Sequence, residues 1–238
     1  MNHEHISRQF DADLEGLRTR VLAMGGLVEQ QVIRAMDGLE SGDMTLIEQV
    51  IATDQRVNRH EVELDEACNN VIARRQPAAV DLRMIMTVVK TITDLERIGD
   101  EAKKIAKMAR DLHSGETRVV PRVDLRPPAD IAVAMLRKAL DAFARLDANA
   151  SAEVVRQDRE VDAGFKAAMR QLITFMMEDP RTISSSLDLL FVARSIERIG
   201  DHAKNISEYV VYLVKGRDVR HIGLEEMEKE VARQPGNI

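Results

Sequence analysis

An internal repeat is the feature of this 238-residue sequence that most restricts its fold. The segment LERIGDEAK, from Leu95 to Lys103, returns 101 positions later as IERIGDHAK, from Ile196 to Lys204. Two weaker matches, at residues 35–39 and 54–58, return 104 positions later and in the same order. Three matches in one order indicate a duplicated unit of about a hundred residues rather than one accidental motif. We therefore expect two lobes of similar fold.

Composition favours helices and excludes several classes of protein. Aromatic residues make up only 3 % of the chain, with 12 Gly and 6 Pro, which disfavours an all-β fold. The single cysteine, Cys68, excludes an internal disulfide, a thiolate zinc site and an iron–sulfur cluster. A net charge of -6 argues against a nucleic-acid partner. The longest run without charged residues, Val21–Val28, is too short to span a membrane, so we expect a cytoplasmic protein.

Helix-boundary signals divide each unit into three long helices. Pro77 interrupts the first unit, Gly216 closes the second, and Thr45 with Glu48 forms a candidate capping box for the second helix. The sequence thus predicts an all-α fold of two pseudo-symmetric antiparallel three-helix bundles with six long helices. We expect the first bundle in residues 1–113, a linker in 114–127, the second bundle in 128–216 and a charged tail in 217–238.

Acidic side chains fall on the apolar stripes of these helices when they are placed on helical wheels. An unpaired buried carboxylate is costly, so a positive group is expected beside them. At an offset of 104, Glu61 and Asp65 correspond to Phe165 and Met169, so the second copy has fewer oxygen donors. The candidate metal ligands are Asp54, Glu61, Glu96 and Asp100 in the first copy, and Asp158, Asp162, Glu197 and Asp201 in the second.

The spacing Glu-x-x-x-Asp places two carboxylates on consecutive helical turns, where they could share one ion. Oxygen ligands without thiolate favour hard ions such as Mg²⁺, Mn²⁺ or Fe³⁺. The alternative is that these acids pair with Arg97, Arg198, Lys103 or Lys204 as ordinary surface charges. The repetition of the motif, facing a second acidic helix, favours the metal.

Other residues carry weaker signals. Gly99 and Gly200 lie inside helices, which predicts either close approach of a backbone or ligand, or tight helix packing. We expect His202 at the surface, and Cys68 and the pair Met176–Met177 in the core. The sequence contains no nucleophile and base at a readable spacing, which predicts no catalytic residues and no enzymatic activity.

With these residues in view, the sequence resembles the PhoU family, the accessory and regulatory proteins of bacterial phosphate-specific transport systems. Both ERIGD motifs contribute to the resemblance. The other matching segments are MGGLVEQQ at 24–31, DEAC at 65–68, RQP at 75–77 and FMMED at 175–179.

The resemblance implies two three-helix bundles, multinuclear metal sites at the acidic motifs and a cytosolic homodimer. Asn58 stands where an acidic residue would complete the upstream motif of the first lobe. The resemblance also implies a role, namely repression of the phosphate-starvation response when phosphate is plentiful, and restraint of phosphate uptake. The implied partners are the ATPase subunit of the phosphate ABC transporter and the sensor histidine kinase PhoR, so the protein would be peripheral to membrane complexes.

Two other functions compete with this adaptor role. One is a metal-dependent hydrolase or oxidase that uses the carboxylate clusters as a two-metal site. The other is a purely structural helical scaffold, which predicts no stoichiometric metal.

Overall fold

Helices account for nearly all of the residues that the structure describes. The structure is a computed structural model that describes residues 8–114, 119–220 and 222–232, and within these ranges it contains no β-strand. A 3₁₀ turn at Pro180–Thr182 separates the fifth and sixth long helices. The helices are α1 (Arg8–Ser41), α2 (Met44–Arg75), α3 (Ala79–His113), α4 (Arg126–Arg145), α5 (Ala148–Glu178), α6 (Ile183–Lys215) and α7 (Leu224–Ala232).

The helix ends follow local chemistry. Proline at position 77 follows the end of α2, as expected, and Gly216 ends α6 in the left-handed conformation. The predicted capping box at the start of α2 is wrong. The Asp43 carboxylate caps this helix instead, accepting hydrogen bonds from the backbone N–H groups of Thr45 and Leu46.

The predicted architecture of six long helices is confirmed. Helices α1–α3 form the first lobe and α4–α6 the second, and α7, which lies in the predicted charged tail, packs against α5. Helix α4 begins at Arg126, two residues before the expected start of the second bundle. Helix α3 packs on α6, and α1 also contacts α4. The buried apolar side chains of both lobes form one continuous cluster, so the two repeats share a core.

The two motif glycines face the neighbouring helix of their hairpin, but at different distances. A Cβ atom at Gly99 would lie 3.2 Å from Val57 Cγ1 and 3.2 Å from the Gln31 side-chain oxygen. A Cβ atom at Gly200 would meet Val161 Cγ1 at 3.4 Å, an ordinary contact. Tight helix packing therefore explains Gly99, whereas Gly200 leaves room for a methyl group.

The two glycines should respond differently to alanine. Gly200→Ala is expected to raise the free energy of unfolding by about 1 kcal/mol, because alanine is the better helix former and fits the space. Gly99→Ala should gain little or nothing, because Val57 and Gln31 must move. Urea denaturation of both variants measures the difference. Equal stabilisation would show that the packing at Gly99 is looser than described.

Candidate functional site

An acidic groove runs between α2 and α3 in the first lobe. Asp54 is almost fully buried, and its Oδ2 accepts a hydrogen bond from Lys103 Nζ at 2.6 Å. Lys103 Nζ also lies 3.7 Å from Asp100 Oδ1. The hydrogen bond to Asp54 raises the pKa of the Lys103 ammonium. Asn58 donates a longer hydrogen bond to the same Asp54 oxygen, at 3.4 Å.

The remaining acids of this groove repel one another. Burial raises the pKa of Glu61, and the neighbouring Asp65 carboxylate raises it further. Burial also raises the pKa of Glu96, with further contributions from Asp100 and Glu61. Carboxylates from two helices therefore make ionisation of Glu61 and of Glu96 less favourable.

The second lobe repeats the arrangement between α5 and α6. Lys204 Nζ donates to Asp158 Oδ2 at 2.7 Å, as Lys103 does to Asp54. Burial raises the pKa of Glu197, and Asp201 and Asp162 add to the effect. Burial and the Asp158 carboxylate raise the pKa of Asp201. Asp158 and Asp162 on α5 therefore act on the ionisation of Glu197 and Asp201 on α6 across the two helices.

The position of these acids differs from the sequence expectation in one respect. Only Asp54 and Asp158 are buried, and the other six predicted ligands are partly exposed along the groove. A helical wheel identifies the apolar stripe but does not show where that stripe leaves the core and reaches the surface.

A lysine ammonium pairs with the buried aspartate in each groove, and some oxygen atoms nearby are left without a partner. Three oxygen atoms of these groove residues are buried without a hydrogen-bond partner: Asp54 Oδ1, Asn58 Oδ1 and Glu197 Oε2. Such unpartnered oxygens are expensive in a protein interior and are the donors that Mg²⁺ or Mn²⁺ prefer. Within the described ranges, however, no three His, Cys, Asp or Glu side chains are grouped tightly enough to hold an ion as they lie.

A second polar cluster, between the two lobes, was not predicted. The carboxylate of Asp94 on α3 accepts hydrogen bonds from His202 Nδ1 at 2.7 Å and from Asn205 at 3.2 Å, both on α6. Tyr209 also hydrogen bonds to Asp94, and burial raises the pKa of the Tyr209 phenol. His202 is only 7 % exposed, so its predicted surface position is wrong. The packing of α3 on α6 buries it.

The other half of this cluster is related to the first by the internal repeat. Glu101 on α3 accepts a hydrogen bond from Ser195 Oγ at 2.9 Å and pairs with Arg198 at 3.1 Å. At the offset of 101, Asp94 corresponds to Ser195 and Glu101 to His202. Each pair is therefore the pseudo-two-fold counterpart of the other. The sequence signal for this cluster is that the second motif has His202 where the first has Glu101, inside otherwise matching segments.

Comparison with known proteins identifies the fold and the family. A family model described as the PhoU domain matches residues 21–109 and 127–210, which are the two repeats. This chain belongs to the PhoU family. Two PhoU domains in tandem account for the duplicated acidic grooves and for the pseudo-two-fold interface between the lobes.

Relatives of this PhoU chain match over almost its whole length. The "Phosphate-specific transport system accessory protein PhoU homolog" of Pseudomonas aeruginosa is 50 % identical over 235 residues, covering 98 % of this chain and 96 % of the relative. The "Phosphate-specific transport system accessory protein PhoU" of Escherichia coli (strain K12) is 47 % identical over 230 residues, covering 97 % and 95 %.

Two crystal structures share the architecture. PhoU from Pseudomonas aeruginosa superposes with a TM-score of 0.84 at 48 % identity, covering 87 % of this chain and 100 % of the other. The phosphate transport system regulatory protein PhoU from Streptococcus pneumoniae gives a TM-score of 0.82 at 28 % identity, covering 88 % and 99 %. In the PhoU chain described here, no helix within the described ranges has both the length and the apolar character needed to cross a bilayer.

Proposed function

We propose that this protein is the accessory protein of a phosphate-specific transport system and that it represses the phosphate-starvation response when phosphate is plentiful. The near-full-length relatives named as accessory proteins of that system carry the proposal. In this role the protein acts in the cytoplasm as a homodimer. It links the ATPase subunit of the phosphate ABC transporter to the sensor histidine kinase and restrains phosphate uptake.

The long helical surfaces support an adaptor rather than an enzyme. The relatives are named as accessory or regulatory proteins. The two acidic grooves are repeated features that such an adaptor can present to ligands or partners. We therefore assign no catalytic residue to this chain.

The proposal includes a metal ion in each groove. Asp54, Glu61, Glu96 and Asp100 would hold it in the first lobe, and the second set is Asp158, Asp162, Glu197 and Asp201. The unpartnered buried oxygens and the raised pKa values of Glu96 and Glu197 support this assignment. Magnesium, manganese or iron would suit these oxygen donors. Side-chain rotation of the partly exposed carboxylates would bring them together around the ion. The positive charge of the ion would offset their repulsion and hold the two helices of the groove together.

A reporter of the phosphate-starvation response tests the proposed function in phosphate-replete cells. The only copy of the gene would encode a variant in which both Glu-x-x-x-Asp motifs are neutralised. We expect the reporter to switch on as it does in a deletion strain, with the variant still folded by circular dichroism. The substitutions are Glu96→Ala, Asp100→Ala, Glu197→Ala and Asp201→Ala.

A matched control removes the same number of negative charges from other exposed positions of α2 and α5. This control should keep the reporter repressed, because it leaves the grooves intact. A reporter that stays silent in the groove variant would refute a signalling role for the motifs. The control substitutions are Glu63→Ala, Glu66→Ala, Glu153→Ala and Glu160→Ala.

A further inference from the structure

The two lobes differ most clearly along one stripe of their second helices. In α2 the positions Glu61, Asp65, Asn69 and Ala73 are acidic, polar or small. The positions 104 residues later in α5 carry only large apolar side chains. They are Phe165, Met169, Ile173 and Met177.

This substitution creates apolar surface rather than core. Met177 is 80 % exposed and Ile173 is 46 % exposed, so the sequence expectation that Met177 packs in the core is wrong. The adjacent helix α6 contributes Ile183, Leu187 and Phe191, which are 43 %, 42 % and 60 % exposed. We call these five residues together the α5–α6 apolar face.

The apolar face continues the acidic groove toward the tip of the α5–α6 hairpin. The two helices run antiparallel, and the cation–π contact between Arg194 and the Phe165 ring, 5.7 Å from its centroid, lies between the acids and the apolar side chains. Burying such surface is favourable, and soluble proteins seldom leave a larger patch uncovered. A patch of this kind, with polar residues on either side, is typical of an interaction site.

Its size fits one half of a dimer interface. Large side chains present roughly 150–250 Å² each, so at these exposed fractions the five residues offer on the order of 500 Å². A standard interface buries about 800 Å² on each partner, of which about 65 % is apolar in homodimers. The remaining area would come from the polar residues on either side of the stripe.

The charges along α5 favour a second copy in the antiparallel orientation. Exposed Lys166 and Arg170 lie on the side of the groove, and exposed Glu178 lies at the tip. Asp179 adds a carboxylate at the tip and is paired there with Arg181. An antiparallel copy of α5 would place the basic end of one helix against the acidic end of the other.

We propose that the α5–α6 apolar face is the interface between two copies of this chain, with the α5 helices packed antiparallel about a two-fold axis near Ile173. In this arrangement Met169 of one copy meets Met177 of the second copy. The inference rests on the proposed function only in that it assigns a surface to the homodimer. The first lobe also exposes Leu82 and Met86, which match Ile183 and Leu187, but it has Lys90 in place of Phe191. It presents Asn69 and Ala73 where the second lobe has Ile173 and Met177, so the proposal assigns the interface to the second lobe.

Cysteine cross-linking tests the position of the axis. Two Ile173→Cys side chains would lie close to each other, so mild oxidation should join the protein into a disulfide-linked dimer. The native Cys68 gives little background, because it is buried and burial raises its thiol pKa to about 11. Asn69→Cys, at the matching place in the first lobe, is the control and should remain monomeric on a non-reducing gel.

Analytical ultracentrifugation measures the energetics of the same face. Met177→Glu and Phe191→Glu should each weaken dimerisation at least about tenfold, because each would bury an unpaired charge at the interface. Met86→Glu, at the exposed position of α3 that corresponds to Leu187, should leave the dimer unchanged. Circular dichroism verifies that each variant folds.

The possible results separate this inference from the proposed function. A dimer that survives both glutamate substitutions, or an Ile173→Cys protein that fails to cross-link, would place the interface elsewhere and overturn the inference. A wild-type protein that is monomeric at micromolar concentration would also overturn it. The phosphate-starvation reporter tests the regulatory role independently, because its variants leave the apolar face intact.

Discussion

Replacing Asp94 with alanine is expected to lower the free energy of unfolding by about 3 kcal/mol. The carboxylate is buried between the lobes and accepts hydrogen bonds from His202, Asn205 and Tyr209. Its removal would take the acceptor away from these donors and leave the buried His202 Nδ1 atom without a partner. The His202 Nε2 atom is already unpartnered and cannot compensate. Chemical denaturation followed by circular dichroism measures the loss.

Two control variants separate this effect from the mere loss of a charge. Asp94→Asn keeps a carbonyl oxygen for the His202 Nδ1–H group and should lose clearly less stability than Asp94→Ala. Asp111→Ala removes an exposed carboxylate, 3.8 Å from Arg110, and should change stability by less than about 0.5 kcal/mol. If Asp94→Ala is as mild as Asp111→Ala, the buried cluster does not join the lobes.

Stability should fall as pH rises from about 5 to 7.5 when a chelator keeps metal away. Burial raises the pKa of Glu208 to about 7, and it also raises the pKa values of Glu61, Glu96 and Glu197. The folded protein therefore keeps protons that the unfolded chain has already released, so stability is greatest at the acidic end of this range. We expect a loss of about 2 kcal/mol, which allows for partial solvent screening.

Asp218 gives rise to a separate loss of stability at lower pH. The hydrogen bond from Arg220 lowers the pKa of Asp218 to about 2, so its contribution is lost only below about pH 4. Glu208→Gln should flatten part of the slope between pH 5 and 7.5, which separates this carboxyl from titrating histidines. A stability that rises with pH across that range would contradict the electrostatics of the grooves.

Manganese should reverse the slope. A bound cation requires ionised carboxylates, so protons compete with it and its stabilising effect should grow as pH rises. Thermal unfolding at pH 5.5 and 7.5, with and without Mn²⁺, measures the difference. The variant with four alanines in the Glu-x-x-x-Asp motifs should lose the response. An equal response in that variant would place the metal elsewhere.

The sequence contains most of the fold because its signals are local. Helix periodicity, Pro77 and Gly216 specify where the long helices lie, since each acts through backbone geometry within a few residues. The start of α2 shows the limit of this approach. A capping box of Thr45 with Glu48 is one reasonable cap for this helix, and the Asp43 side chain is another. The choice between them depends on the turn that precedes the helix.

The helix faces on which the eight acids lie are predictable from the sequence, but their surroundings are not. Their spacing within each helix predicts which of them share a face. Whether that face meets the core or an open groove depends on how neighbouring helices pack. His202 illustrates the same limit, because its partner Asp94 is 108 residues away in the sequence. The predicted core position of Met177 is wrong for a similar reason, because hydrophobicity alone does not distinguish a core side chain from an exposed apolar one.

The unequal pairs between the lobes make the two halves of the chain complementary. If the first lobe associated with a copy of itself through α3, the repeat would place Asp94 opposite Glu101, and two buried carboxylates would repel each other. The second lobe in the same arrangement would place Ser195 opposite His202, without the charge that each now meets. Each lobe therefore pairs more favourably with the other lobe than with a copy of itself. When many copies fold at the same time, this preference disfavours the pairing of two first lobes or of two second lobes.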